Sequence, residues 1–251
     1  MRGKKTILTV AFWCIAIGVI YGIAANFPKE QAKQMIIGIA ACVVVVWMTA
    51  KIIAMHRLTK MVAAPIPFLY EEKDPERYVE EMQKVIEKTT NRQQKDLIKI
   101  NIGAGYVYAG KYDKAIDTLN QIALPGQAEV NQVLVCANKA MAFFLAEKKE
   151  EVLELVEKNR SLLKKYQISS NGLTNNIVVT LAIEQYEKAA YEETIGMLDK
   201  LKEKKVSSIL QDVIDFIYCE CYRNLHMQGE RATLKKVMKE GKLVPAIAKR
   251  I

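Results

Sequence analysis

A chain of 251 residues with 37 Lys and Arg, 28 Asp and Glu and a formal charge of +9 has room for one or two domains and looks, in total, like a nucleic-acid binder. The distribution argues against that: residues 1–60 hold eight basic residues against the single acid Glu30, so the other three quarters are nearly neutral and lack a basic face. Five scattered cysteines (Cys14, Cys42, Cys136, Cys219, Cys221) and two histidines give neither a disulfide framework nor a metal-ligand spacing, so the thiols are read as buried and reduced in a cytosolic setting, with no metal and no cofactor.

Met1–Lys5 is a short basic head, and Ile7–Ala25 follows as a run without formal charge. It predicts a first helix over about 6–26, just under the roughly 30 Å hydrocarbon core of a bilayer. The polar stretch Asn26–Gln34, with Pro28, is expected to break it. Met35–Met55 predicts a second helix over about 35–55, interrupted only by Lys51, whose long side chain reaches the headgroups from near the end of the span. Residues 1–60 therefore read as a two-helix transmembrane hairpin. Basic residues at its two outer ends place it in the plasma membrane as a multi-pass anchor with both chain ends cytoplasmic. A rival reading, a signal peptide cleaved near Gly22–Ala25, conflicts with the length of the first run and with the second span that follows at once. Gly18 and Gly22 offer a small-residue face that can pack the two helices together or join two copies of the chain.

Residues 61–73 contain Ala64-Pro65-Ile66-Pro67 and read as a linker, because each proline biases its predecessor toward extended backbone. Asp74-Pro75-Glu76 then opens a helix with an acidic cap, proline in the first turn and an acid beside the helix dipole. Tyr78, Met82, Val85 and Ile86 line one face as far as about Thr89.

Asn101–Leu124 reads as two short helices folded back on each other. Gly103 and Ala115 allow close approach, Tyr106 and Leu119 fill the space beside them, and Gly110 takes the left-handed turn conformation. The order G-x-x-Y-x-x-x-G-x-Y-x-x-A-x-x-x-L resembles a tetratricopeptide repeat. Weaker copies start near Val133 (Ala140, Phe143, Val152, Val156, with Glu147 in place of the turn glycine) and near Asn175 (Ala182, Tyr191, Thr194, Leu198), after the loop signal Ser169–Gly172. A fourth covers about Tyr218–Gly241 and keeps Gly229. Spacings of about 37, 42 and 43 residues exceed the 34 of the family. The resemblance implies that residues 74–251 are an α-solenoid of antiparallel helix pairs, so the fold class is all-α throughout. The helix at Asp74 would close one end of the stack and Lys242–Ile251 the other.

The layout resembles small bacterial membrane proteins with a cytoplasmic tetratricopeptide-like domain. That resemblance implies a scaffold that binds a protein or peptide, with another membrane protein as one candidate, along a concave groove lined by the first helix of each pair. Carried over position by position, the groove contains Asn101, Val107 and Tyr108, then Asn138, Met141 and Phe144, then Ile183 and Tyr186. The alternative is that these side chains pack against the chain's own helices. Two other function classes stay open. Gly105–Lys111 matches G-x-x-x-x-G-K, the start of a phosphate loop, but Tyr112 stands where a Ser or Thr would hold magnesium and the preceding segment reads as helix. A purely structural membrane protein would use the basic exit Lys51, Arg57 and Lys60 to stay near anionic headgroups. No catalytic constellation emerges, so the chain is not expected to be an enzyme. Asn159-Arg160-Ser161 is inert as a glycosylation signal on the inside of a membrane, and the glutamates between Glu147 and Glu157 read as a solvated face.

Overall fold

The computed structural model describes residues 18, 19, 21–23, 25–125, 127–167 and 173–251, and among them every regular element is helical. Contacts divide the chain into two compact units, Met1–Lys60 and Met61–Ile251.

Helix α1 spans Lys29–Ala63. It is long and apolar enough to cross a membrane: its most apolar stretch has a mean hydropathy of 2.4, and none of that stretch is buried. Val45, Val46, Trp47 and Ile52 are all exposed. It is the one candidate span among the described residues. The expected first span, about 6–26, falls largely outside them, as does Cys14; residues 18, 19, 21–23, 25 and 26 are helical. A side chain added at Gly18 or Gly22 would meet nothing within 4 Å. The second helix starts six residues before its expected limit, because Lys, Glu and Gln are good helix formers and only Pro28 interrupts the backbone ladder. Cys42 is exposed on α1, contrary to the reading of all thiols as buried, while Cys136, Cys219 and Cys221 are buried.

In the second unit the linker is not fully extended. Ile66–Tyr70 forms a short helix, α2, with Pro65 at its cap in helical conformation, since proline in a first turn removes only an amide that has no helical partner. Helix α3, Pro75–Lys88, starts as expected: the Asp74 carboxylate accepts the Arg77 amide at 3.0 Å. Four helix pairs follow: α4 (Arg92–Tyr108) with α5 (Tyr112–Asn120), α6 (Glu129–Leu145) with α7 (Lys149–Gln167), α8 (Leu173–Glu187) with α9 (Tyr191–Asp199), and α10 (Ser208–Asn224) with α11 (Gln228–Glu240). A last short helix, α12, covers Pro245–Ala248. The loop signal Ser169–Gly172 lies outside the described residues.

Each pair reverses through three residues, and the middle one always sits in the left-handed region: Gly110 (φ +74°), Glu147 (+59°), Ala189 (+60°) and His226 (+60°). The same two bonds close every turn. Lys111, Lys148, Ala190 and Met227 donate to the carbonyls of Tyr106, Phe143, Gln185 and Tyr222 at 2.9–3.0 Å, and the middle residue donates to the carbonyl three before it at 2.9–3.3 Å. The fourth turn is therefore at His226 and not near Gly229, which lies in α11 where an added Cβ would meet nothing within 4 Å.

The turn register fixes the packing. Seven residues before the middle position stand Gly103, Ala140, Ala182 and Cys219, all buried; nine after it, Leu119, Val156 and Leu198 are buried, while the fourth pair has half-buried Lys235. A Cβ on Gly103 would lie 2.7 Å from Leu119 Cγ, so the closeness of α4 and α5 depends on glycine there. Gly105 plays the same part toward α3, with a virtual Cβ 2.6 Å from Val79 Cγ2.

Candidate functional site

The first helices of the first three pairs, α4, α6 and α8, carry the expected groove residues. Val107, Tyr108, Met141, Phe144 and Ile183 are buried, and Asn101, Asn138 and Tyr186 are half-buried. Phe144 and Tyr186 meet edge to face at 5.4 Å between centroids, and Phe144 also meets Phe216 of α10 at 6.1 Å. The inner face thus brings three pairs together through an aromatic cluster. Asn101 is occupied locally, donating to the Leu97 carbonyl of its own helix.

Part of this face is covered by a segment that the repeat pattern does not contain. Segment Val244–Ile251, expected to close the far end of the stack, reaches across to the other pairs. Val244, Ala246 and Ile247 are buried, and Ala246 Cα lies 3.6 Å from where a side chain on Gly110 would begin. Arg250 donates to the Leu145 carbonyl and pairs with Glu147 at 2.7 Å, with its guanidinium 5.1 Å from the Phe216 ring centre. One short segment therefore touches the first, second and fourth pairs at once.

Asp212 of α10 anchors this arrangement. Its two oxygens accept Lys73 Nζ at 2.7 and 2.8 Å, and Oδ2 also accepts the Val244 amide at 3.0 Å. Ser208 Oγ donates to the Tyr70 carbonyl at 2.7 Å, and Lys242 Nζ donates to the Glu72 carbonyl, so the stretch before α3 and the segment after α11 are both tied to the last pair. Burial raises the Tyr108 hydroxyl well above the ordinary phenol range, with Tyr70 and Asp212 adding to the rise. Neither Asp212 nor Arg250 stood out in the sequence. The available signal was the apolar triplet Val244, Ala246 and Ile247 around Pro245, after a helix end at Gly241.

Part of the inner face stays open. A cleft of about 220 Å³ has Phe144, Tyr186 and Phe216 in its walls and the carboxylates of Glu147, Glu187 and Glu220 around it. A larger cleft of about 670 Å³ lies among α9, α10 and α11, with Leu198, Ile214, Tyr218 and Leu234 in its lining. In the turn register the fourth pair has Arg231 where the others have Ala115, Val152 and Thr194, and Lys235 where they have Leu119, Val156 and Leu198, and α11 buries only Met238.

Gly105–Lys111 has a packing role. Residues 105–108 belong to α4, Gly105 lies under Tyr78 and Val79, and Lys111 Nζ pairs with Glu76 at 2.6 Å. Asn159 lies in α7 and donates to the Leu155 carbonyl at 2.8 Å. Among the described residues no group of three His, Cys, Asp or Glu side chains is placed to hold a metal ion. Compared with known proteins, the chain matches no family model, no curated protein and no solved structure.

Proposed function

We propose that the chain is a membrane-tethered interaction scaffold: a tetratricopeptide-like α-solenoid whose inner face takes a short peptide segment of a partner, and which carries out no catalysis. The observation that carries this reading is the segment Val244–Ile251 itself, a peptide seated across three helix pairs by apolar side chains, one backbone amide and one guanidinium. Four turns with one conformation and one bonding pattern support the solenoid. The exposed apolar surface of α1 supports the tether, which concentrates the domain near other membrane proteins without a new contact. In the full reading, residues 6–26 and α1 form a hairpin in the plasma membrane, with both chain ends on the cytoplasmic side where the basic residues lie.

The test is site-directed photocrosslinking in intact membranes. A crosslinker at half-buried Asn138 of α6 is expected to yield one reproducible protein adduct, and the same group at exposed Glu154 of α7 none. Adducts from both positions alike, or from neither, would refute an inner-face binding site.

A further inference from the structure

The inner-face cleft has a composition with a specific chemical preference. Aromatic faces carry negative quadrupole charge, and carboxylates accept the fork of a guanidinium; together they select a planar cation. Three glutamates surround the cleft, and two arginines reach it. Arg223 is committed to Glu220 on its own helix at 2.6 Å. Arg250 reaches Glu147 at 2.7 Å, the Leu145 carbonyl and the Phe216 face. Glu187, the third carboxylate, has no cation at ion-pair distance among the described residues. Burial pushes its carboxyl upward, Lys149 offsets part of this, and Glu147 and Glu150 add to the rise. The cleft is thus short of positive charge even with Arg250 in it.

Arg250 is delivered by a segment with few anchors. Val244, Ala246 and Ile247 supply the apolar contact, the Val244 amide bonds to Asp212, the Ile251 carbonyl accepts Lys235 Nζ at 3.2 Å, and the remaining main-chain bonds of the turn are internal to it, such as Ala248 to Val244 at 2.9 Å. A short segment held by so few groups belongs to the part of a fold that opens without unfolding the rest.

We propose that the cleft bounded by Glu147, Glu187 and Glu220 is a guanidinium-recognition site, that Arg250 is its intramolecular stand-in, and that the partner is a peptide with the same chemistry. Such a peptide presents a short apolar helical turn followed, three residues after its last apolar anchor, by an arginine, and it displaces residues 244–251. The assignment rests on the inner-face reading above and adds the chemistry of the partner. A second copy of this chain is a poorer occupant, because each copy's own segment competes at the effective concentration of an intramolecular ligand.

The experiment uses the full chain in detergent micelles and a fluorescent, end-capped synthetic peptide covering Leu243–Ile251. The peptide is expected to bind the Arg250→Ala chain about tenfold or more tightly than the wild-type chain, whose own arginine fills the cleft. On that Arg250→Ala chain, a second peptide with alanine at the arginine position is expected to bind about tenfold more weakly than the first. Adding Glu147→Gln and Glu187→Gln should abolish the difference between the two peptides. Comparing two peptides on one chain separates recognition from any folding defect of the variant. Equal binding of both peptides would overturn the cleft assignment and leave the inner-face reading standing. Binding of neither peptide to either chain would overturn both. Dimers of the wild-type chain, seen by light scattering without peptide and lost in the Arg250→Ala chain, would make a second copy the occupant and overturn the partner assignment.

Discussion

Asp212→Ala is expected to release the segment Val244–Ile251 before it unfolds the helix pairs. The carboxylate is buried at the junction of two stretches remote in sequence: it binds Lys73 through both oxygens and the Val244 amide through one. Removing one partner of a buried ion pair costs about 3–5 kcal/mol, because the other charge stays behind without compensation. Lys73 keeps 15% of its side chain exposed and can turn toward water, so the low end applies, and the orphaned Val244 amide belongs to the same loss. A local penalty of about 3 kcal/mol raises the open population roughly a hundredfold. Trypsin reads this directly, since Lys242, Lys249 and Arg250 all lie in or beside the segment. When opening and closing are fast relative to cleavage, the rate of cutting follows the open population. Asp212→Asn, which keeps one acceptor oxygen, should accelerate cleavage by about tenfold only. Lys73→Met should also expose Arg250, although the two lie in distant parts of the sequence. The reasoning fails if Asp212→Ala is cut at Arg250 no faster than wild type. It also fails if cleavage at Lys158, on the surface of α7, accelerates equally, which would mean global unfolding.

Three further outcomes follow from the packing. Ala189→Gly should stabilise the chain by about 0.5 kcal/mol, because left-handed backbone costs a non-glycine residue about 1–2 kcal/mol and the added freedom of the unfolded chain returns about 0.4–1; Gly110→Ala should lose a similar amount, and urea midpoints that move in the same direction for both would contradict this. Gly103→Ala should destabilise through its clash with Leu119, an overpacking cost of about 1–3 kcal/mol only partly offset by helix propensity, whereas Gly196→Ala, with nothing within 4 Å, should gain about 0.5–1 kcal/mol. Thermal melts that rank the two glycine variants the other way would sink the close-approach account. Glu184 is buried in α8 between Arg160 and Lys188; burial raises its carboxyl, but hydrogen bonds and charge from Lys188 and Arg160 outweigh burial and lower it. A lowered folded value means that its stabilisation is complete above the unfolded carboxylate value of about 4.3 and is lost as pH falls through the folded one. Glu184→Gln should therefore flatten the acid limb of stability measured by urea midpoints between about pH 3 and 6, and an unchanged limb would remove Glu184 from the account.

The parts of this fold that the sequence discloses are those where a residue type is required by the backbone. Asp74 caps a helix because a carboxylate accepts a free amide, and Gly103 faces Leu119 because nothing larger fits. Gly110 marks a turn for the same kind of reason. Repeat spacing alone marks the second turn at Glu147, and the turns at Ala189 and His226 are hidden, because all three residues adopt the left-handed conformation under compulsion from two backbone bonds and the buried helices on either side. Gly229 misleads because glycine permits a turn without requiring one. The same asymmetry explains the start of α1: polarity at Lys29–Gln34 does not oppose a helix, and only the missing amide of Pro28 does.

Of the residues around the inner-face cleft, the sequence offered Phe144 and Tyr186 as groove positions and did not mark Glu187, Phe216, Glu220 or Arg250. The tetratricopeptide resemblance assigns Val107, Tyr108, Met141, Phe144 and Ile183 to one face, but a row of apolar side chains on a face requires cover and does not name it. Over part of this face the cover is eight residues whose own pattern is too short for any periodicity. Their hold depends on polar anchors at both ends: Asp212 takes the Val244 amide at the entry of the turn, and beyond it Glu147 and the Leu145 carbonyl take the Arg250 guanidinium and Lys235 the Ile251 carbonyl. Apolar contact alone would let the segment slide along a greasy face, since it has no direction. Polar bonds at fixed separation set the register, and in doing so they specify what a competing peptide must carry at its two ends.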